Sequence, residues 1–475
     1  MFSRDSQHTA ASGIATPPLN RIIWQMAVDE APQYVGGGRY LLAHYGSPVI
    51  TAKNSVIVPI KGSATGNFRA EVRSGANGGL IWTLPSDYVA PPHNWFPSFN
   101  ASVTTNGRVY LPAAGGKLNY FEDIDSTAPR TGQLNFAVFY GSAVYASAAN
   151  ELNATLMINT PVTLDAANNA YFGFYTTAPN SVGILSGVAR VAADLTGTWQ
   201  AASLLANDAS IDRVAMNSAP ALSVDGSTLY VSVASAQGNG YLLALDSATL
   251  APVRRVALMD PKSGAPARIT DDATSSPTVG PDGDVYYGVL ENPGGSNNSR
   301  GWLLHFNAAL TLSKTPGAFG WDNTPSVVAA SAVPGYTGPS SYLLVTKYNN
   351  YAGSGTGNGQ NRMAVLDPST AQTDPVSGIQ TLREVLTVLG PTADADHPGG
   401  VREWCVNTAA FDPATHSMLV NNEDGQLYRW DLATNQLSEH IRFNNGLGQS
   451  YTPTAVGADG TVYAINNAVL FAVGR

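Results

Sequence analysis

The chain has 475 residues, of which 44% are hydrophobic and only 12% charged, against about 25% charged in typical soluble proteins. This length is too great for one ordinary core unless the fold is a repeat or a large all-β domain, and 47 glycines and 30 prolines suit many strands and turns. A net charge of −9, a pI near 5.2 and no Lys/Arg block exclude nucleic-acid binding through phosphate contacts; no apolar run reaches the ~18 residues of a membrane-spanning helix, and a single cysteine excludes an internal disulfide or a thiolate metal cluster.

The opening MFSRDSQHTA has no apolar signal-peptide core, so the protein is either cytoplasmic or exported with its leader removed; the neutral, Asn/Thr/Gly-rich composition favours the second, a periplasmic or secreted protein. Residues 20–33, NRIIWQMAVDEAPQ, match GGLIWTLPSDYVAPP at 78–92, the outer strand and exit loop of the first repeat. A strand–turn–strand unit then recurs eight times, at 46–60, 97–113, 159–175, 218–235, 275–291, 323–346, 407–422 and 451–467. The clearest copies are SAPALSVDGSTLYVSVAS, SSPTVGPDGDVYYGVLE and YTPTAVGADGTVYAINN. Their Asp-Gly pair marks a tight hairpin because those positions require φ > 0. Third strands follow at 241–249, 301–309, 362–370 and 426–434, and fourth strands at 78–85 and 252–258. Four antiparallel strands per unit at this period predict an all-β, eight-bladed propeller of four-stranded blades. The last unit ends at Arg475 without an outer strand, so 20–33 is expected to supply it and close the ring. No linker divides the chain, which predicts a single domain over 1–475.

In blade one, VRSGANGGLIW (72–82) resembles the docking motif of quinoprotein propellers, with Gly78 and Trp82 at its Gly-x-x-x-Trp spacing. LDSAT (245–249) and LDPST (366–370) resemble its Leu-Asp-x-x-Thr portion, and RDSQHT (4–9) is similar to the openings of bacterial proteins with pyrroloquinoline-quinone-like repeats. The resemblance is to quinoprotein-alcohol-dehydrogenase-like propellers over about the whole chain. It implies the eight-bladed fold and, as a possible cofactor, pyrroloquinoline quinone with calcium. The adjacent cysteine pair found over that cofactor has no counterpart, and no Cys-x-x-Cys-His haem motif occurs. The superfamily also contains non-catalytic scaffolds, so fold does not fix function.

In a propeller, the loops leading into inner strands and the loops joining second to third strands share one face. The short Asp-Gly turns take the other. The first face gathers the irregular sequence: HYGSP with His44 and Tyr45, PPHNWFPSF with His93, Asn94 and Trp95, TDDATSSP with Asp271 and Asp272, GWDNTPS with Trp321 and Asp322, and REWCVN with Arg402, Glu403, Trp404 and Asn407. It also receives KYNNYAGSGTGNGQN, with Lys347 and Tyr348, and the longest insertion, roughly 373–401. Long loops on a rigid frame are where binding usually resides.

His44, His93, Lys347, Arg402 and Glu403 are the candidates for acid–base or anion-binding work. Each has a structural alternative: a hydrogen-bonded loop histidine, a solvated lysine at a strand end, or an Arg402/Glu403 charge pair tying the long loop to a neighbouring blade. Tyr45, Asn94, Trp95, Trp321, Asp322, Tyr348, Trp404 and Asn407 are the candidate ligand wall, against the alternative that bulky residues fill the wedges between blades. Asp271, Asp272 and Asp322 are candidate ligands for a hard cation. Cys405 suits a small buried hydrophobe as well as a nucleophile. No Gly-x-Ser-x-Gly, Walker loop, His-Glu-x-x-His or dinucleotide fingerprint is present. The sequence therefore favours a monomeric binding or scaffold propeller that takes a small polar molecule or a protein partner on its loop-rich face. The alternative is an enzyme at the pore mouth, either a degenerate quinoprotein oxidoreductase or a cofactor-free lyase or hydrolase.

Overall fold

In the tight hairpins, Gly226, Gly283 and Gly460 take φ of +75°, +88° and +86°, the region that an L side chain enters at a cost. Each joins a short inner strand to a longer second strand. The computed structural model describes residues 1–37, 40–92, 99–127, 134–270 and 275–475, and in them these hairpins start eight antiparallel blades.

Blade one runs Val49–Ile50, Ser55–Lys61, Phe68–Ser74, Leu80–Pro85. Blade two runs Ser102–Val103, Val109–Pro112, Leu118–Phe121, Asn135–Ala137. Blades three and four start at Thr163–Leu164 and Ala221–Leu222, and each gains a further short strand on its second strand, Leu156–Ile158 and Ile211–Val214. Blade five has three strands, Thr278–Val279, Val285–Val289 and Trp302–Phe306; single bridges from Phe306 to Ser313 and Leu303 to Gly317 mark its outer edge. Blade six runs Ser326–Ala329, Tyr342–Tyr348, Arg362–Thr373, Gln380–Leu389, and blade seven Ala410–Asp412, Ser417–Asn422, Gln426–Asp431, Gln436–Arg442.

Second strands such as Ser55–Lys61 and Tyr342–Tyr348 are buried throughout because a blade is covered on both faces, so they read as continuous apolar runs. The outer strand Gln436–Arg442 alternates exposed and half-buried residues.

Blade eight consists of Ala455–Val456, Val462–Asn466 and Val469–Gly474, completed by Arg21–Ala27 paired antiparallel with Val469–Gly474. The expected closure is thus present. Trp24 of this strand donates its indole N–H to the Gly75 carbonyl of blade one at 2.8 Å. Trp82 repeats the contact one blade on, donating to the Ser126 carbonyl of blade two at 3.1 Å. A Cβ on Gly78 (φ +70°) would stand 2.8 Å from the Trp24 ring, which explains glycine in that motif. Beyond the strand, the buried Asp29 receives Lys61 Nζ at 2.9 and 2.8 Å and the Tyr45 hydroxyl at 2.7 Å, fastening the exit loop to blade one.

Two features depart from the sequence reading. Residues 373–401 are only partly a loop: Arg362–Thr373 and Gln380–Leu389 form a long bulged hairpin that packs against blade five, with Leu382 buried beside Leu303 and Phe319 and Asp374 paired to Arg300 at 3.0 Å in full burial. A helix, Ser142–Thr155, links blades two and three, with Leu152 as its buried side chain.

The opening coil lies in the axial channel. Its carbonyls accept from the free, axis-facing edges of inner strands: Ser6 from Leu222 N, Gln7 from Val279 N and Thr9 from Val327 N, at 2.8, 2.9 and 2.8 Å. His8, fully buried, sits 2.8 Å from the Pro277 carbonyl. The chain then leaves over blade seven, where Thr16 meets Asp412 and Arg429. Residues 4–9 therefore stitch the channel walls together near the Asp-Gly turns. Among the described residues, no helix is long and apolar enough to cross a membrane.

Candidate functional site

At the opposite, loop-rich end of the channel, the short loops before the inner strands of blades one, four, six, seven and eight converge. Asp322 adopts φ +53° in the loop before blade six and places its carboxylate 3.1 Å from Lys347 Nζ. Lys347 lies in the second strand of that blade, so the ammonium reaches the axis from a rigid element. Both side chains are 2% exposed, and burial of each charge is sustained by the other. His44 Nε2 is 4.0 Å from the same carboxylate. Its Nδ1 is 3.3 Å from the Asn217 amide, and Tyr451 packs edge-on against its ring at 5.6 Å. Asn323 bonds Thr346 at 2.7 Å, and Asn407 accepts Thr324 N at 3.2 Å, tying the loops of blades six and seven.

Blade seven adds the acidic half. Oxygens of Glu403 and Glu423 and the Sγ of Cys405 all lie within 4.8 Å of one another. Glu423, at the turn after Ser417–Asn422, accepts the Glu403 N–H at 3.2 Å, and Cys405 Sγ is 3.4 Å from its other oxygen. Burial, reinforced by Glu423, pushes the Glu403 carboxyl up to about 8, so it is protonated near neutral pH. Burial also raises Glu423 and holds the Cys405 thiol neutral. The side-chain oxygens of Glu403 carry no hydrogen bond or ion pair among the described residues, and the group is half-buried. Around it stand the half-buried Trp321, Tyr351 and Tyr451, with Trp321 and Tyr351 edge-to-face at 6.0 Å. A partly exposed rim of aromatics and one protonated acid thus covers a buried polar floor of His44, Asp322, Lys347, Cys405 and Glu423.

Of the residues singled out from sequence, His44, Trp321, Asp322, Lys347 and Glu403 come together here. Lys347 is buried rather than a solvated strand end. The expected Arg402/Glu403 charge pair does not form: Arg402 joins Asp394 at 3.0 Å and Asp396 at 3.2 Å in the long insertion and lies 3.8 Å from Glu423. Three wall candidates serve packing instead. Tyr45 belongs to the Asp29 clasp, Tyr348 lies under Arg300 at 5.1 Å, and Trp404 is wholly buried against Tyr428, its backbone held by Asn349. Asn407 is buried among the channel loops. His93, Asn94, Trp95, Asp271 and Asp272 lie outside the described residues. Glu423 and Tyr351 are the members that sequence reasoning passed over. Glu423 sits in a tight NNEDGQ turn, and its Asp-Gly pair looked like the structural turns of the other face.

The donor set bears on cofactors. Asp322, a candidate cation ligand, already faces an ammonium. Glu403, Cys405 and Glu423 are close enough to share one ion, but a thiol between two carboxylates suits a borderline-soft metal better than calcium, which takes six to eight oxygens. A quinone bearing several carboxylates needs spare cations, and here Lys347 is matched by Asp322 and Arg402 by Asp394 and Asp396. The described residues therefore do not fit pyrroloquinoline quinone.

No family model matches the chain, and no curated protein matches it. Among solved structures it is similar to the quinohemoprotein alcohol dehydrogenase from Comamonas testosteroni, with a TM-score of 0.54 and 12% identity over 99% of this chain and 80% of that one. A computationally designed protein, Ika8, aligns with a TM-score of 0.49 and 12% identity over 94% of this chain and 99% of that one. At this identity the first likeness bears on the fold alone, the eight-bladed propeller that the sheets themselves form.

Proposed function

We propose that the chain is an exported, monomeric binding propeller that takes a small, neutral polar molecule, such as a sugar or an amide, at the loop-rich mouth of its channel. One observation carries the reading: Glu403 presents a protonated, unengaged carboxyl between an aromatic rim and a buried charged floor. A protonated carboxyl donates a strong hydrogen bond to a carbonyl or hydroxyl oxygen, and the half-buried Trp321, Tyr351 and Tyr451 supply faces for the apolar side of the same ligand. The Asp322–Lys347 pair holds that floor rigid.

The test is a calorimetric screen of neutral monosaccharides and small amides. At least one class should bind saturably at pH 6.5, weaken about tenfold or more in Glu403→Ala, and weaken in the native protein as pH rises through about 8, where the carboxyl loses its proton. Binding that ignores both the substitution and pH, or no binding from either class, overturns the reading.

A second reading rests on the same carboxyl. An acid titrating near neutrality is suited to general acid–base work, which makes a cofactor-free lyase or hydrolase the enzymatic alternative. Turnover of the bound ligand, abolished in Glu403→Gln with binding retained, would select it.

A further inference from the structure

The coil that fills the Asp-Gly end of the channel does not fill it completely. Between the coil and the inner strands of blades one, seven and eight lies a cavity of about 300 Å³, with Arg4, Ser47, Val49, Ala410, Thr454 and Val456 among its walls. At ~30 Å³ for each water, this holds about ten non-hydrogen atoms. It is continuous with a groove on the Asp-Gly face between blades one and two, which shares Arg4, Val49 and Ile50 with it. It is therefore reachable from solvent without passing the loop-rich site.

The chemistry of the cavity is uneven. Its strand walls are mostly apolar: Pro48, Val49, Ala410, Pro453, Ala455 and Val456. Two hydroxyls interrupt them. Ser47 and Thr454, only 5% and 6% exposed, carry buried Oγ atoms with no hydrogen-bond partner among the described residues. An unsatisfied buried hydroxyl asks for an explanation.

The coil supplies the third element. Within RDSQHT, Asp5 caps the Thr9 N–H at 2.9 Å and Ser6 donates to Gln7 at 3.3 Å. Gln7 donates to the Leu222 and Ser223 carbonyls at 3.2 and 3.0 Å, and His8 meets Pro277 at 2.8 Å. Among the described residues, Arg4 alone in that motif has a side chain with neither a hydrogen bond nor an ion pair, and it is exposed where cavity and groove meet. The coil nevertheless holds it at φ +78°, a conformation rarely adopted by arginine. In a chain of net charge −9, the coil thus presents a free guanidinium, with its planar fork for carboxylates, at the open end of an apolar cleft.

We infer that this cavity binds a small organic carboxylate, its carboxylate on Arg4, its short apolar body against Val49 and Val456, and its inner end within reach of the Ser47 and Thr454 hydroxyls. The site is separate from the loop-rich one, and its ligand is anionic where that one is neutral.

Calorimetry with isovalerate and its neutral isostere isovaleramide tests the inference. Isovalerate should bind saturably and about tenfold or more tighter than the amide, because the charged contact is lost in the amide. Arg4→Gln, at an exposed position, should erase that preference while leaving the thermal transition in place. Thr454→Val, which keeps the side-chain shape, should leave isovalerate binding and its preference over the amide in place, because the probe's isopropyl end makes no hydrogen bond. No saturable isovalerate binding, equal binding of the two probes, or an affinity indifferent to Arg4→Gln overturns the inference.

Discussion

A lysine ammonium and an aspartate, each 2% exposed and 3.1 Å apart, are stable in a propeller channel only as a pair. Removing one partner leaves an uncompensated charge and typically costs about 3–5 kcal/mol, whereas replacing both by apolar residues of similar size is often near neutral. Lys347→Met should therefore destabilise by about that amount, and Lys347→Met combined with Asp322→Leu should recover most of it, giving a large coupling energy in a double-mutant cycle read by denaturant unfolding. Equal penalties for the single and double variants would mean that the pair does not act as a unit.

At the scale of the element, the ring depends on a strand borrowed from the other end of the chain. Trp24 buries its indole between blades eight and one and donates to Gly75 at 2.8 Å. Trp24→Ala should cost about 3–5 kcal/mol, the usual loss for a large buried aromatic, and Trp82→Ala, at a half-buried site, should cost less; the ordering of the two melting temperatures checks this. Much of this was legible in the sequence. NRIIW and GGLIW match because both tryptophans perform the same contact on the next blade, and the Asp-Gly turns declare themselves through a backbone requirement. What escaped has physical reasons too. The helix Ser142–Thr155 fully buries only Leu152, with Tyr145 and Ala148 half-buried against the same core, so its apolar stripe is short and weak. The hairpin after Asp367 is interrupted by a bulge, which breaks the strand pattern and made 373–401 read as loop. RDSQHT carried a resemblance in its residues but no sign of its position, because hydrogen bonds to four separate blades leave no local period. Convergence of His44, Lys347 and Glu403 followed from sorting loops by face; the choice between ligand wall and packing for Tyr45, Tyr348 and Trp404 depended on which side of the strand or loop each side chain takes.

For the whole molecule, two buried groups at opposite ends of the channel pull stability in opposite directions with pH. Burial lowers His8 to about 4, so between about 4 and the unfolded value of 6.5 the unfolded chain binds more protons, and stability rises with pH. Glu403 is raised to about 8 from 4.5; between those values the folded chain binds more protons, and stability falls as pH rises. The paired carboxylates of Asp284, Asp374, Asp394 and Asp412, all held below the usual aspartate range, add stability that is lost on further acidification. The His8 and Glu403 slopes oppose each other between 4.5 and 6.5. From about 6 to 8 the falling slope of Glu403, joined by that of the raised Glu423, runs against the rising slope of the amino terminus, which burial lowers from 8.0 to about 6. Below 4.5 only the acid slopes remain, so stability should fall there. Glu403→Gln should make the slope between pH 6.5 and 8 more positive and leave the acid limb alone, and His8→Gln should reduce the acid limb without touching the slope above 6.5. Urea unfolding of the three proteins across pH 4–9 separates these outcomes; a slope between 6.5 and 8 that is the same with and without Glu403→Gln would remove the protonated carboxyl on which the loop-rich site depends.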